Sequence, residues 1–282
     1  MATVESAWRK LVGDLEPIYG LGEAESIARI LFEDAFGERN KLSQEVLSDA
    51  NETRLLSYTD RLLKKEPIQY ILGEADFYGL KFLVSPAVLI PRFETEELVY
   101  TILNHLNTRS SLNRVLDIGT GSGCIPITLK HQRTDLDVSA IDISDSALAI
   151  AQQNAVRHGV DVSFSIRDIL SRAEWSNEKF DLIVSNPPYI GKAERDLVPD
   201  YVHLYEPHLA LYTEDPDRLI FYKEICAFAI KSLNPSGWLF FECNEFTASE
   251  VKALMLSSGF KSVELLKDMQ GKERVVFGEW GG

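Results

Sequence analysis

The stretch Val115-Leu116-Asp117-Ile118-Gly119-Thr120-Gly121-Ser122-Gly123 admits few folds. A short, mostly apolar run suits a buried strand, and the alternating glycines that follow make a tight turn that other residues form only at a steric cost. Cys124 onward reads as a helix, with Pro126 tolerable in its first turn. A strand that feeds a helix in this way belongs to a parallel sheet with right-handed crossovers. The alternation then repeats. Val138 to Asp142 is a second strand, closing on an acid; Ser144 or Asp145 caps a helix whose Leu148, Ala151 and Ala155 share a face before Gly159 stops it. Val162 to Ile166 is a third strand, followed by Asp168, and Phe180 to Val184 is a fourth, ended by Pro187 and Pro188. A helix over 217–233, a strand from Trp238 to Cys243, a helix over 247–258 and a closing hairpin from Lys261 to Glu279 complete an α/β sheet of seven strands. Residues 190–216 hold Pro199, Pro207 and Pro216 and read as a long functional loop.

Ahead of this alternation the chain has another character. Residues 1–66 read as a small helical bundle: Ile27, Ile30 and Leu31 share a face ahead of Gly37, and Leu55, Leu56, Leu62 and Leu63 recur at helical spacing before Pro67. Pro67 to Gly73 and Phe77 to Val84 carry glycines and aromatics that favour turn and strand, which predicts a linking β-hairpin. Leu98, Val99, Ile102, Leu103 and Leu106 then line one face of a helix, with Thr95 as its expected N-cap. The expected division is a helical recognition domain over 1–75, a hairpin linker over 76–93 and an α/β domain over 94–282.

Composition narrows the function classes. The net charge is −14 over 282 residues, and the first 110 residues and the remainder are both acidic, so phosphate backbones are repelled on average and a protein partner is favoured over nucleic acid. No apolar run reaches the roughly 18 residues of a membrane span, and no leader pattern is visible, which predicts a cytoplasmic protein. Cys124, Cys226 and Cys243 are scattered without metal or disulfide spacing, and the five histidines pair with no ligand set, so no metal is expected. Trp8, Trp175, Trp238 and Trp280 fall on different elements and read as packing residues.

In open α/β sheets ligands bind beyond the carboxyl ends of the strands, where the notable residues of this sequence gather. The glycine turn lacks dinucleotide spacing, because its third glycine arrives one residue early at Gly123. Asp117 before the turn disfavours a diphosphate and favours a cationic cofactor. S-adenosylmethionine fits: an amino group for Asp117 or its surroundings, ribose hydroxyls for Asp142, an adenine amino group for Asp168, and a close approach at Gly119, Gly121 and Gly123. The second feature is Asn186-Pro187-Pro188-Tyr189. The Asn186 carboxamide oxygen and the Pro187 carbonyl are acceptors, and neither proline has an N–H, so this corner suits an NH2 group and repels a carboxylate. Tyr189 adds a flat ring that could stack on a planar amide or base. Arg92 has two readings, an ion-pair brace for the hairpin or a partner for the cofactor carboxylate.

Together Asp117 to Gly123, Asp142 and Asn186 to Tyr189 resemble the class I (Rossmann-like) S-adenosylmethionine-dependent methyltransferases that act on amino groups. Pro67 to Gly73, Ile90-Pro91-Arg92, Glu94-Thr95-Glu96 and Glu206-Pro207 narrow the resemblance, which spans nearly the whole chain, to the HemK/PrmC family. That family methylates the side-chain amide nitrogen (N5) of a glutamine in peptide-chain release factors. The resemblance implies a seven-stranded methyltransferase sheet with helices on both faces, a small N-terminal helical domain and a linking hairpin. It further implies cofactor contacts at Gly119, Thr120, Gly121, Ser122, Gly123, Asp142, Ile169 and Asn186, with the glutamine held by Asn186, Pro187, Pro188 and Tyr189. The implied products are the methylated glutamine and S-adenosylhomocysteine, the partner a class I release factor, and the working state a monomer with no direct nucleic-acid binding. Two departures stand out: Phe93 where members usually carry a second proline, and Glu242-Cys243-Asn244-Glu245-Phe246 where they carry a Glu followed closely by Gly and Gln. An Asn-Pro-Pro-Tyr stretch also occurs in adenine and cytosine amino methyltransferases, so nucleic-acid methylation is the competing activity. A noncatalytic cofactor-binding module is the third reading.

Overall fold

The computed structural model describes residues 2–109, 111–175, 177–191, 194, 198–213 and 215–282. The chain forms two compact units, Met1–Glu74 with Asp200–Tyr205, and Ala75–Pro199 with Glu206–Gly282.

The first unit is helical. Helices α1 (Val4–Tyr19), α2 (Leu21–Phe36), α3 (Asp49–Leu63) and α4 (Ile68–Leu72) enclose a core that includes Trp8, Leu11, Leu15, Leu31, Phe32 and Leu62. Gly37 ends α2 in the left-handed region at φ 73°, as its place after the apolar face predicts. One expectation fails. Residues 68–72, read as turn and strand, form a helical turn: Pro67 enters with its fixed φ, and Gly73 closes the turn at φ 75°. The leucines at helical spacing lie on α3, where Leu62 is fully buried while Leu56 is 64% and Leu63 42% exposed. The short helix Asp200–Tyr205 joins this unit, where the Tyr205 hydroxyl donates to the Lys64 carbonyl at 2.9 Å.

The second unit is built on one sheet. The hairpin strands β1 (Glu74–Phe77) and β2 (Leu80–Leu83) precede α5 (Phe93–Asn107). Arg92, not Thr95, is the N-cap of α5, and Thr95 lies buried in its first turn. Strands β3 (Arg114–Ile118), β4 (Asp137–Asp142), β5 (Ser163–Ile166), β6 (Phe180–Ser185), β7 (Leu233–Glu242), β8 (Phe260–Lys267) and β9 (Glu273–Trp280) stand in the order β5-β4-β3-β6-β7-β9-β8. Strand β9 pairs antiparallel with both of its neighbours, and the other pairings are parallel. Helices α6 (Cys124–Gln132) and α7 (Asp145–His158) pack with α5 on one face, and α10 (Ile220–Ser232) and α11 (Ala248–Ser257) cover the other.

Period-two alternation divides the strands between these faces. Val115, Leu182, Val184, Trp238 and Phe240 enter the α5–α7 core, and Leu116, Ile118, Ile183, Leu239 and Phe241 enter the α10–α11 core. Asp117 and Glu242 fall in the first register, so two acids are carried into the face that α5 covers. Both are buried, at 0% and 2% exposure. The Ser144 hydroxyl accepts from the Ala147 N–H, which makes Ser144 the cap of α7. In the segment 190–216, residues 192, 193, 195–197 and 214 lie outside the described residues. The rest is not all loop: it carries α8 (Asp200–Tyr205) and α9 (His208–Leu211), and the Ile190 and Thr213 amides bond the Leu211 and Ile190 carbonyls to close its base.

Candidate active site

A cavity of about 410 Å³ opens beyond the carboxyl ends of β3, β4 and β6. That volume lies in the range of small-molecule sites. Its wall includes Gly119, Thr120, Gly121, Ser122, Asp142, Asp168, Ile169, Asn186, Pro187 and Pro188, so ten of the residues singled out from sequence meet at one place.

The glycine turn is shaped by its backbone. Gly119 and Thr120 both donate to the Ile141 carbonyl, at 2.9 and 3.1 Å, which ties the turn to the end of β4. Gly121 then donates to one Asp142 oxygen at 2.8 Å and Ser144 to the other at 2.9 Å. One bond per oxygen leaves lone pairs for a ligand hydroxyl. Burial raises the Asp142 carboxyl above the ordinary range, against the pull of the Ser144, Gly121 and Ile143 amides. Gly119 and Gly121 have φ of +77° and +54°, and an added Cβ at either would meet no protein atom within 4 Å. The space they leave is cavity. Gly123 does different work: at φ +79° its Cβ would stand 2.8 Å from Ile127 Cδ1 and 3.1 Å from Ala151 Cβ, so this glycine lets α6 pack on α7 and does not line the cavity.

Asp117 also lies behind the wall, immediately before Ile118. Neither of its oxygens has a hydrogen-bond partner, nor has the Thr120 hydroxyl. Burial pushes the Asp117 carboxyl up to about 7. An ammonium-bearing ligand suits such a carboxylate, because an opposite charge favours its ionised form. The cavity, its unfilled glycine cradle, these orphaned oxygens and the two lining acids therefore fit S-adenosylmethionine as a group. Asp168 turns one oxygen back to the Leu170 N–H at 2.9 Å, and the Trp175 indole donates to the Ile169 carbonyl at 2.9 Å to hold that loop.

At the other end of the cavity, Ser185 donates to the Ile118 carbonyl at 2.7 Å, joining the ends of β6 and β3. The Asn186 Nδ2 donates to Thr95 Oγ1 at 3.3 Å, and Thr95 Oγ1 donates to Glu242 Oε2 at 2.6 Å. Tyr189 does not line the cavity; it packs against the α10–α11 core, and burial pushes its hydroxyl up to about 12. Arg92 pairs with the buried carboxylate of Glu206, which also accepts from the Ile90 N–H at 3.3 Å. The brace reading of Arg92 thus has a partner, in the Glu206-Pro207 stretch, and the bonded segment Ile90 to Arg92 forms part of the cavity wall.

Sequence reasoning did not place Thr95 or Glu242 here. A usable signal existed for Glu242: an acid closing the apolar run Trp238 to Phe241 follows the same pattern as Asp142 closing β4. No such signal marks Thr95, whose role depends on where α5 packs.

Residues 98–203 match the methyltransferase small domain family, and residues 7–73 match the PrmC N-terminal domain family. Among solved structures, the hMettl16 catalytic domain shares 18% identity at a TM-score of 0.55, covering 86% of each chain. A methyltransferase from Pyrococcus furiosus shares 19% at a TM-score of 0.51, over 83% of this chain and 100% of that one. These two likenesses place the second unit among class I methyltransferase folds. Sequence relatives are much nearer. The release factor glutamine methyltransferase of Flavobacterium psychrophilum is 42% identical over 95% of both chains. That of Bacillus subtilis is 38% identical over 90% of this chain and 91% of its own. Likeness of this extent, carried through both the helical unit and the sheet, means that the chain belongs to the release factor glutamine methyltransferase family, HemK/PrmC.

Proposed function

We propose that this chain methylates the side-chain amide nitrogen (N5) of the glutamine in the Gly-Gly-Gln loop of class I peptide-chain release factors, with S-adenosylmethionine as donor. One observation carries the reading: the acceptor-rich corner Asn186-Pro187-Pro188 lines the same cavity as the glycine turn and its acids. Cofactor and amide nitrogen then meet in one enclosure.

In this reading Gly119, Thr120, Gly121, Ser122, Asp142, Asp168 and Ile169 hold the cofactor, and Asp117 supplies negative charge from behind the turn. The bound cofactor supplies an electrophilic methyl group on a sulfonium. The protein has to present a weak nucleophile, since an amide lone pair is delocalised into its carbonyl. Asn186 Oδ1 and the Pro187 carbonyl each accept one N–H of the substrate amide, which fixes the nitrogen. Such positioning is worth up to roughly 7–11 kcal/mol in favourable systems. As positive charge develops on that nitrogen the same two bonds strengthen, and this lowers the barrier. The described residues lining the cavity include no His, Lys or Glu, and the two acids among them, Asp142 and Asp168, are taken up with the cofactor, so the proton is assigned to leave after transfer, to water. A glutamate in place of glutamine would face two acceptors with no donor, at about 1–3 kcal/mol for each unmade bond.

The test is methyl transfer from labelled S-adenosylmethionine to purified release factor, beside a variant whose Gly-Gly-Gln glutamine is alanine. Label on the first alone is expected. Label on both, or on neither with cofactor binding intact, would refute the assigned acceptor.

A further inference from the structure

We propose that Thr95 and Glu242 are positioning residues that set which end of the Asn186 carboxamide faces the acceptor site, and thereby select glutamine over glutamate. The inference rests on the glutamine reading above.

A carboxamide has two ends of nearly equal size and opposite hydrogen-bonding sense. With its oxygen toward the cavity, Asn186 binds an NH2 group; reversed, it offers NH2 and binds a carboxylate. Nothing in the side chain itself prefers either. The preference comes from its neighbours. Glu242 is carried into the α5 face at the last position of β7, and once ionised, above the value of about 7 to which burial lifts it, its carboxylate only accepts. At 2.6 Å it takes the Thr95 proton. Thr95 then has lone pairs alone to offer Asn186, so Nδ2 turns to it and Oδ1 is left for the substrate. Thr95 itself lines the cavity and is 3% exposed, whereas Glu242 does not line it. Glu242 therefore acts at one remove, through a hydroxyl that can donate only once. Arg92, Glu94, Arg274 and Tyr189 supply the charged and titratable surroundings of Glu242. Three elements of the fold thus converge on one amide orientation at the cavity: β7, α5 and the end of β6.

A residue that merely holds the fold would, when altered, weaken all ligands together. An orienting residue changes the ratio between two of them. The experiment, at about pH 8.5 where Glu242 is ionised, measures kcat/KM on a Gly-Gly-Gln peptide and the inhibition constant of the matching Gly-Gly-Glu peptide, with cofactor affinity by calorimetry as the control. Thr95→Val is expected to lower kcat/KM about 10–100-fold, to tighten the Gly-Gly-Glu peptide about tenfold or more, and to leave cofactor affinity within about twofold. Thr95→Ser, which keeps the hydroxyl, is expected to recover most of the loss. Glu242→Met keeps Thr95 but frees its proton, and is expected to erode the Gln/Glu ratio in the same direction, so the inference stays testable if Thr95→Val does not fold. A wild-type ratio in both Thr95→Val and Glu242→Met, or equal loss of both peptides, would overturn it. A wild-type enzyme that methylates no glutamine would instead overturn the reading beneath it, and the orientation argument with it.

Discussion

Replacing Glu242 by Gln isolates one buried charge and makes a quantitative prediction. Burial at the end of β7 pushes this carboxyl from its ordinary 4.5 up to about 7, against the Thr95 hydrogen bond and the Arg274 and Arg92 charges that favour the ionised form. The folded protein therefore keeps a proton on Glu242 over a pH range in which the unfolded chain has released it. Between about pH 4.5 and about 7 the folded state binds more protons, so the Glu242 contribution to stability is complete below that window and is lost as pH rises through it. At about 1.4 kcal/mol per pH unit of displacement, the contribution lost between pH 5 and pH 8 is about 2.5 kcal/mol. Gln keeps the shape and the acceptor for Thr95 but does not titrate. Asp117, which burial also lifts to about 7, is common to both proteins and cancels in the difference. Urea denaturation followed by tryptophan fluorescence, for both proteins at about pH 5, 6, 7 and 8 and constant ionic strength, reads the effect. Relative to wild type, Glu242→Gln should gain about 2.5 kcal/mol on going from the lowest pH to the highest. A difference that stays flat within about 0.5 kcal/mol, or that runs the other way, would refute the burial argument.

Four further outcomes follow from the geometry. Asn186→Ala should lose most turnover while keeping the wild-type fold in circular dichroism, and near-wild-type kinetics would remove it from the acceptor site. Asn154, fully buried on α7, accepts from the Leu83 N–H and donates to the Leu83 and Ser122 carbonyls, tying β2 to the glycine turn. Asn154→Leu should cost about 3 kcal/mol or more in chemical denaturation, from three backbone groups left unpaired at about 1–3 kcal/mol each, and should weaken cofactor binding. A loss under about 1 kcal/mol would show that water replaces those bonds. Gly123→Ala should cost about 1–3 kcal/mol of stability, from left-handed strain and the overlap with Ile127. Gly119→Ala carries the same left-handed strain at φ +77° but meets no protein atom within 4 Å, so beside a smaller loss of stability it should lose cofactor affinity in a binding titration.

The parts legible in the sequence are those whose physics is local. The glycine turn, Gly37 and Gly159 as helix stops and Ser144 as a cap each depend on a few neighbouring residues, and each stands where the pattern places it. The turn over 68–72 shows the limit of local reading, because Pro67 opens a helical turn as readily as it ends one. Strand alternation was the information underused at the site. The parity that sends Val115 into the α5 face sends Asp117 there too, so this acid stands behind the cavity wall. The Glu242, Thr95 and Asn186 cluster was not readable, because it requires β7 beside β6 and α5 across their ends. Only the sheet order brings residues so far apart in the chain within a hydrogen bond of one another.

The short helix Asp200–Tyr205 belongs to the helical unit although it follows β6 in sequence. The polypeptide therefore enters that unit twice, and the unit is no detachable leader. A chain begun after Glu74 would leave α8 without the Lys64 carbonyl that Tyr205 bonds and without the rest of the unit to which it belongs. A chimera that borrows the helical unit of a relative has to exchange residues 200–205 together with everything up to 74, or it will mismatch its own interior. Change in the amino-terminal helices is thus harnessed to change in a six-residue insert inside the catalytic half, and the two segments should drift as one heritable module.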